Sequence, residues 1–296
     1  MTTLERVAEW AFLYIRKDPP ASKNKKESGG GVRMTCVVSV FRRSALVAAA
    51  LGVLSIFPAE AAEVRVGGYE FPPFVDKNAP DGGLAPSFVK ALNNMSSEHT
   101  FTFVPTSPQR RYGHFRDGRF DMIMFEMPIW GWESQNLAYE TTPVLLEGGE
   151  VYVAHKASAS DQSFFDWLYD KRLVGLLGYH YGFADFNGDR EFLEENYDIE
   201  LTTSHRGNLG MVLKRRVDVA VVTKSFLQLY FIENPAAREE LVLSDKLDQE
   251  YRLPVIVSKD SPVGAAELSG MLERLEKSGA ADAVLDKFGL AGQWVF

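Results

Sequence analysis

The strongest constraint on this fold is an alternation: short apolar runs and one-sided helical patterns take turns along the chain from residue 63 to residue 288. Residues 63–68 (EVRVGG) alternate with period two, as a half-buried strand does. Leu84, Phe88, Val89, Leu92 and Met95 then share one helix face. A strand pattern at 101–104, a helix near 109–116 and an apolar strand at 120–125 (FDMIMF) complete a β-α-β-α-β order. That order predicts a largely parallel sheet with right-handed crossovers.

The pattern restarts after Gly148 and Gly149, with strands at 151–155, 173–177, 199–203 and 217–222 and helices near 163–169, 188–197, 206–214 and 224–232. A strand at 251–258 (YRLPVIVS) returns to the first unit, and two helices follow, ending near 277 and 288. The fold class is therefore α/β with two lobes, each a mixed, mostly parallel sheet flanked by helices. Crossings near 145–150 and 253–255 make a two-segment hinge, and the cleft between the lobes is the natural ligand site. Residues 115–125 and 213–222 echo one another: each reads as a basic helix end, a tight turn, an Asp and an apolar strand.

Arg42 and Arg43 precede an apolar stretch at 44–57, and Ala59-Glu60-Ala61 closes it with small residues around one position. This is the three-part pattern of an export signal over 34–61. Residues 1–33 then read as an unstructured extension or a start assigned too far upstream, with Cys36, the single cysteine, inside the removed segment. The expected division is 62–147 plus 254–296 for lobe one and 148–253 for lobe two. A net charge of −8 argues against a broad basic face for nucleic acid.

Catalytic signatures are missing from the sequence. It has no Gly-x-Ser-x-Gly elbow, no phosphate-binding loop and no dinucleotide fingerprint. His99, His114, His155, His180 and His205 show no metal-ligand spacing. No cofactor and no metal are expected.

Six blocks in order carry a resemblance: 67–74 (GGYEFPPF), 83–92 (GLAPSFVKAL), 118–121 (GRFD), 173–178 (LVGLLG), 217–222 (VDVAVV) and 251–262 (YRLPVIVSKDSP). The closing 272–289 adds a terminal helix pair. Over residues 63–290 the chain resembles the bacterial extracellular solute-binding proteins of family 3, the periplasmic receptors of polar amino-acid ABC importers. The resemblance implies a Venus-flytrap fold, a soluble monomer in the periplasm, a small-molecule solute and ABC permease subunits as partners. It also admits a sensory or accessory periplasmic role without transport. A few proteins of this fold are exported dehydratases, for which Glu126 with Arg111 is the only visible pair.

Two departures bear on the solute. Family members clamp the ligand carboxylate with an Arg where this chain has Trp132, and hold the ammonium with an Asp where it has Thr223. A zwitterion left without either partner would be costly to bury, so a standard amino acid is not the expected ligand. The stretch 107–112 (SPQRRY) resembles a branch carrying Pro-x-x-Arg, which points to Arg111, although Arg110 competes for the same face. The 178–182 turn (GYHYG) resembles that branch too, offering Tyr179, His180 and Tyr181 and the amides of a following helix to an anionic group. Tyr69 and Phe74, in the loop leaving the first strand, are expected in the cleft and Phe71 in packing beneath it. Trp130 and Trp132 fit either a cleft wall or a lobe–lobe contact, and Glu126 ends a strand facing the cleft. Together these aromatics predict a partly apolar or planar solute.

Overall fold

The structure, a computed structural model, describes residues 61–296. Residues 1–60, which hold the expected extension and nearly all of the expected export signal, lie outside the described residues.

The first sheet has the order β2-β1-β3-β10-β4. Strands β1 (Ala62–Gly68), β2 (His99–Pro105) and β3 (Met122–Met124) run parallel, while β10 (Val255–Ser258) lies antiparallel between β3 and β4 (Tyr139–Thr141). Helix α1 (Leu84–Met95) turns Leu84, Phe88 and Leu92 into the core, as its periodicity requires. The short helix α2 (Arg111–Arg116) leads into β3.

The second sheet has the order β7-β6-β8-β5-β9. Its parallel part is β6 (Leu173–Leu176), β7 (Ile199–Thr202) and β8 (Val219–Thr223). Strand β5 (Leu146–His155) runs antiparallel to β8 and to β9 (Leu241–Leu253). Helices α3 (Arg190–Asn196), α4 (His205–Leu213), α5 (Lys224–Glu233) and α6 (Pro235–Glu240) connect these strands. Helices α7 (Ala265–Lys277) and α8 (Ala280–Asp286) return to pack on α1. Among the described residues no helix is long and apolar enough to cross a membrane.

The internal echo has a structural cause. Arg65, in the middle of β1, reaches Asp121 through its backbone N–H, Nε and a terminal nitrogen, while its other terminal nitrogen donates to the Gly118 carbonyl. In the second sheet Arg172, just before β6, makes the same set of contacts to Asp218 and to the Arg216 carbonyl. Each pair ties the turn before a strand to the neighbouring strand.

Two expectations differ from the structure, and one strand was not expected. The helix near 163–169 is only a 3-10 turn at Gln162–Phe165. The returning strand 251–258 is broken at Pro254, which has no N–H for a ladder. Its residues before the break belong to the 13-residue β9, most of which carries no strand signal. Register shifts against β5 between Glu150 and Val153 break the period-two pattern there. The chain passes from the first sheet to the second between Thr141 and Leu146, and back between Leu253 and Val255.

Candidate functional site

The crossing at Pro254 also builds the site. The Pro254 carbonyl accepts from the N–H groups of Phe125 and Glu126 at 3.0 and 3.3 Å, and Phe125 holds a left-handed φ of 61°. This turns the chain sharply out of β3 and buries Glu126 at 1% exposure. Arg111, the first residue of α2, is equally buried and brings Nε to 3.2 Å from Glu126 Oε2. Arg110 beside it is exposed, so the helix turn divides the adjacent pair between solvent and interior.

The protein engages both terminal nitrogens of Arg111. They donate to the carbonyls of Pro108, Gly178 at 3.4 Å and Trp130 at 3.2 Å. One also lies 3.5 Å from His180 Nδ1, and the guanidinium carbon lies 4.4 Å from the Tyr112 ring centroid. Burial pulls the Arg111 pKa down, but Glu126 together with Tyr69, Tyr112 and Tyr179 more than offsets it and keeps the guanidinium charged. Burial pushes the Glu126 carboxyl upward against the opposing pull of Arg111 and of donors from Tyr69 and Trp132. His180, desolvated and beside Arg111, is lowered to about 3 and stays neutral.

A small cavity of about 10 Å³, room for a single water, lies where the two sheets' loops meet. Tyr69, Phe71, Arg111 and Trp130 line it from the first sheet's side, Gly178, Tyr179 and His180 from the second's, with Gln249 and Tyr251 on β9. Four hydrogen bonds span it, the contact of Arg111 with His180 Nδ1 among them. The Trp130 indole donates to Gln249 Oε1 at 2.8 Å, the Tyr179 hydroxyl to the Glu70 carbonyl at 3.0 Å, and Arg111 to Gly178.

The structure thus gathers Tyr69, Arg111, Trp130, Tyr179 and His180 at one cavity, with Glu126 directly behind Arg111. Phe74, Trp132, Tyr181 and Thr223 do not line it. Phe74 packs on Phe71 and Phe125 and faces a larger cavity of about 590 Å³ beside β5 and α5. Phe71, expected in packing, is the ring that lines the small cavity, while Phe74 faces the larger one, which residues from both sheets' sides line. Trp132 is fully buried against Tyr112, Phe115 and Tyr139, and its indole donates to Glu126 Oε2 at 2.5 Å. A large ring with one donor finds both its needs met inside the first lobe. Tyr181 is likewise interior: its hydroxyl binds the backbone of Leu176 and its ring stacks on Phe183. Thr223 caps the end of β8, with Oγ1 at 3.3 Å from His205 Nε2 and 3.4 Å from the Tyr251 hydroxyl.

The anion-binding helix expected after Gly178 is absent. A 3-10 turn at Gly182–Ala184 stands there, and Asp248 takes the N–H groups of Gly182 and Phe183 at 2.8 and 2.9 Å. The amides already have a carboxylate, supplied by the protein.

Sequence reasoning missed Glu150, Gln249 and Tyr251. Glu150 is fully buried and its pKa is pushed up to about 8, first by burial and then by Asp248, against donors from Tyr251 and Gln249. A Glu directly after two glycines, in a segment otherwise turning apolar, was the available signal.

No family model matches the sequence. No curated protein matches it either. Solved structures do resemble it. A substrate-binding protein of an ABC uptake transporter from Streptococcus pneumoniae, with bound histidine, has a TM-score of 0.63 at 16% identity over 79% of this chain and 95% of that one. A mutant arginine-binding protein from T. maritima has a TM-score of 0.58 at 19% identity over 77% and 95%. An ancestral amino acid-binding protein, a precursor of cyclohexadienyl dehydratase, has a TM-score of 0.55 at 19% identity over 77% and 95%. By their names the resembling structures are amino acid-binding proteins and a substrate-binding protein of an ABC transporter. At these identities the likeness is one of fold: this chain has the two-lobed architecture of the periplasmic binding proteins.

Proposed function

We propose that this chain is a periplasmic solute-binding protein that captures a small, partly apolar or planar solute by hinge closure and delivers it to an ABC importer. The observation that carries this reading is the shared cavity: residues of both sheets line it, while the chain crosses between the sheets in only two places. Contacts made from both sides exist only in the closed state, so a solute shifts the population toward it. The resembling proteins from S. pneumoniae and T. maritima, which bind histidine and arginine by their names, support a binding role. On this reading residues 62–147 with 254–296 form one lobe, 148–253 the other, and the protein works as a monomer exported by its 34–61 segment.

The dehydratase reading needs Glu126 as a free acid and Arg111 as a carboxylate clamp. The two face each other instead, which favours binding over chemistry. A sensory or accessory role without transport gains from one observation, the small size of the cavity that Phe71 leaves.

The test is a thermal-shift screen with amino acids, amines, carboxylic acids and sugars, paired with small-angle scattering. A solute at about 100 times its Kd stabilises by roughly 2.7 kcal/mol, or roughly 5–10 °C at this size. A shift with contraction of the radius of gyration supports hinge capture. No shift with any small molecule would overturn it in favour of the accessory role.

A further inference from the structure

We propose that the solute is an organic ammonium ion that carries no carboxylate, with Glu150 as its counter-ion inside an aromatic cage. The inference rests on the solute-binding reading and names the ligand class of the same site.

Thr223, Glu150 and Gln249 are register partners across β8, β5 and β9, so their side chains share one face of the second sheet. Glu150 Oε2 accepts from Gln249 Nε2 at 2.8 Å, and Oε1 has no hydrogen-bond partner among the described residues. The same Gln249 nitrogen donates to the His180 carbonyl at 2.5 Å. An N–H donor group of the protein thus stands between a buried carboxylate and a carbonyl. Those are the acceptors an ammonium group seeks, and Gln249 and Tyr251, which flank Glu150, both line the cavity.

The charge balance points the same way. Glu126 faces Arg111, and Asp248 accepts from the Tyr152 hydroxyl and the amides of Gly182 and Phe183. Glu150 alone among these buried carboxylates has neither a cation nor a full set of donors. Ionising a buried carboxylate so poorly compensated is costly, so Glu150 holds its proton in the ligand-free protein, and a ligand cation removes the cost of losing it.

A ligand carboxylate finds no equivalent. The terminal nitrogens of Arg111 already serve three carbonyls, and its Nε faces Glu126. An anionic group at the cavity would find no free guanidinium in its walls.

The remaining walls suit a cation as well. The Phe71 ring has its centroid 6.1 Å from Tyr69, 5.9 Å from Trp130, 5.7 Å from Tyr179 and 5.9 Å from Tyr251. A solute that takes the place of Phe71 in the closed form is met by four electron-rich rings. Such rings attract ammonium groups, methylated ones included.

The test uses matched probes that differ in charge: phenethylamine, phenylalanine and 3-phenylpropionate, with choline and ethylamine as smaller cations, titrated calorimetrically into the purified protein. At least one amine should bind while the zwitterion and the acid do not. Glu150→Gln should weaken that binding by about a hundredfold or more, the usual consequence of removing one partner of a buried charge pair. Circular dichroism verifies that the variant folds. Binding of phenylalanine or phenylpropionate instead, or of an amine equally well by Glu150→Gln, overturns the cation assignment and leaves solute binding standing. Failure of every probe here and of the wider screen above overturns both.

Discussion

Arg111 Nε lies 3.2 Å from Glu126 Oε2 with both side chains 1% exposed, so each buried charge depends on the other. Removing one leaves its partner uncompensated, which costs about 3–5 kcal/mol. Arg111→Met should therefore lower stability by that amount in urea titration. The double variant Arg111→Met with Glu126→Gln should recover a large part of it. Additive losses would show that the pair is not coupled.

Trp130 and Trp132, two residues apart, should respond differently. Trp130→Phe loses the indole bridge to Gln249 and should open the closed form, read as a larger radius of gyration, with little change in urea stability. Trp132→Phe loses the hydrogen bond to buried Glu126 and should cost about 1–3 kcal/mol without opening the lobes. The reverse pattern would contradict the assignment of Trp132 to the interior of the first lobe.

Phe71 is 3% exposed and fills the space between the lobes. Phe71→Ala should destabilise the protein by roughly 3–5 kcal/mol through the cavity it opens. Benzene or indole should restore part of that loss by occupying the new space. No rescue would mean that the surrounding rings collapse into the gap.

Stability should also depend on pH through Glu150, raised from 4.5 to about 8 in the folded protein. The folded state holds this proton where the unfolded chain has lost it, so the contribution favours folding at low pH and is lost as pH rises from about 4.5 to about 8. The slope approaches roughly −1.4 kcal/mol per pH unit inside that window. Asp248, Tyr251, Tyr179, Tyr181 and Tyr152 are the ionisable groups coupled to it. His180 and His205, lowered to about 3, act oppositely between about 3 and 6.5. Denaturant titrations of wild type and Glu150→Gln at several pH values isolate the term: the variant should lack the decline, and identical profiles would remove Glu150 as its source.

The architecture was legible in the sequence because its determinants are local. Leu84, Phe88 and Leu92 face inward on α1 simply because a helix repeats every 3.6 residues. The repeated Asp before an apolar strand, at Asp121 and Asp218, marked two matching turns, and Arg65 and Arg172 answer both in the same way. Where charges and register shifts interrupt the period, as in β9, the strand could not be read.

The site was legible only in part. Tyr69, Arg111, Trp130, Tyr179 and His180 were recognisable as chemistry beside strand ends, and they do converge. Which ring faces the cavity and which packs beneath it, at Phe71 against Phe74 or Trp130 against Trp132, depends on backbone turns set by distant contacts such as Pro254 holding Phe125 and Glu126. Glu150 and Gln249 lie 99 residues apart and meet only because β5 and β9 pair. The sequence alone determined two α/β lobes and a set of candidate groups, since periodic burial is a near-neighbour property. The tertiary structure decided which charges are already compensated, because that depends on partners that separate segments of the chain bring together.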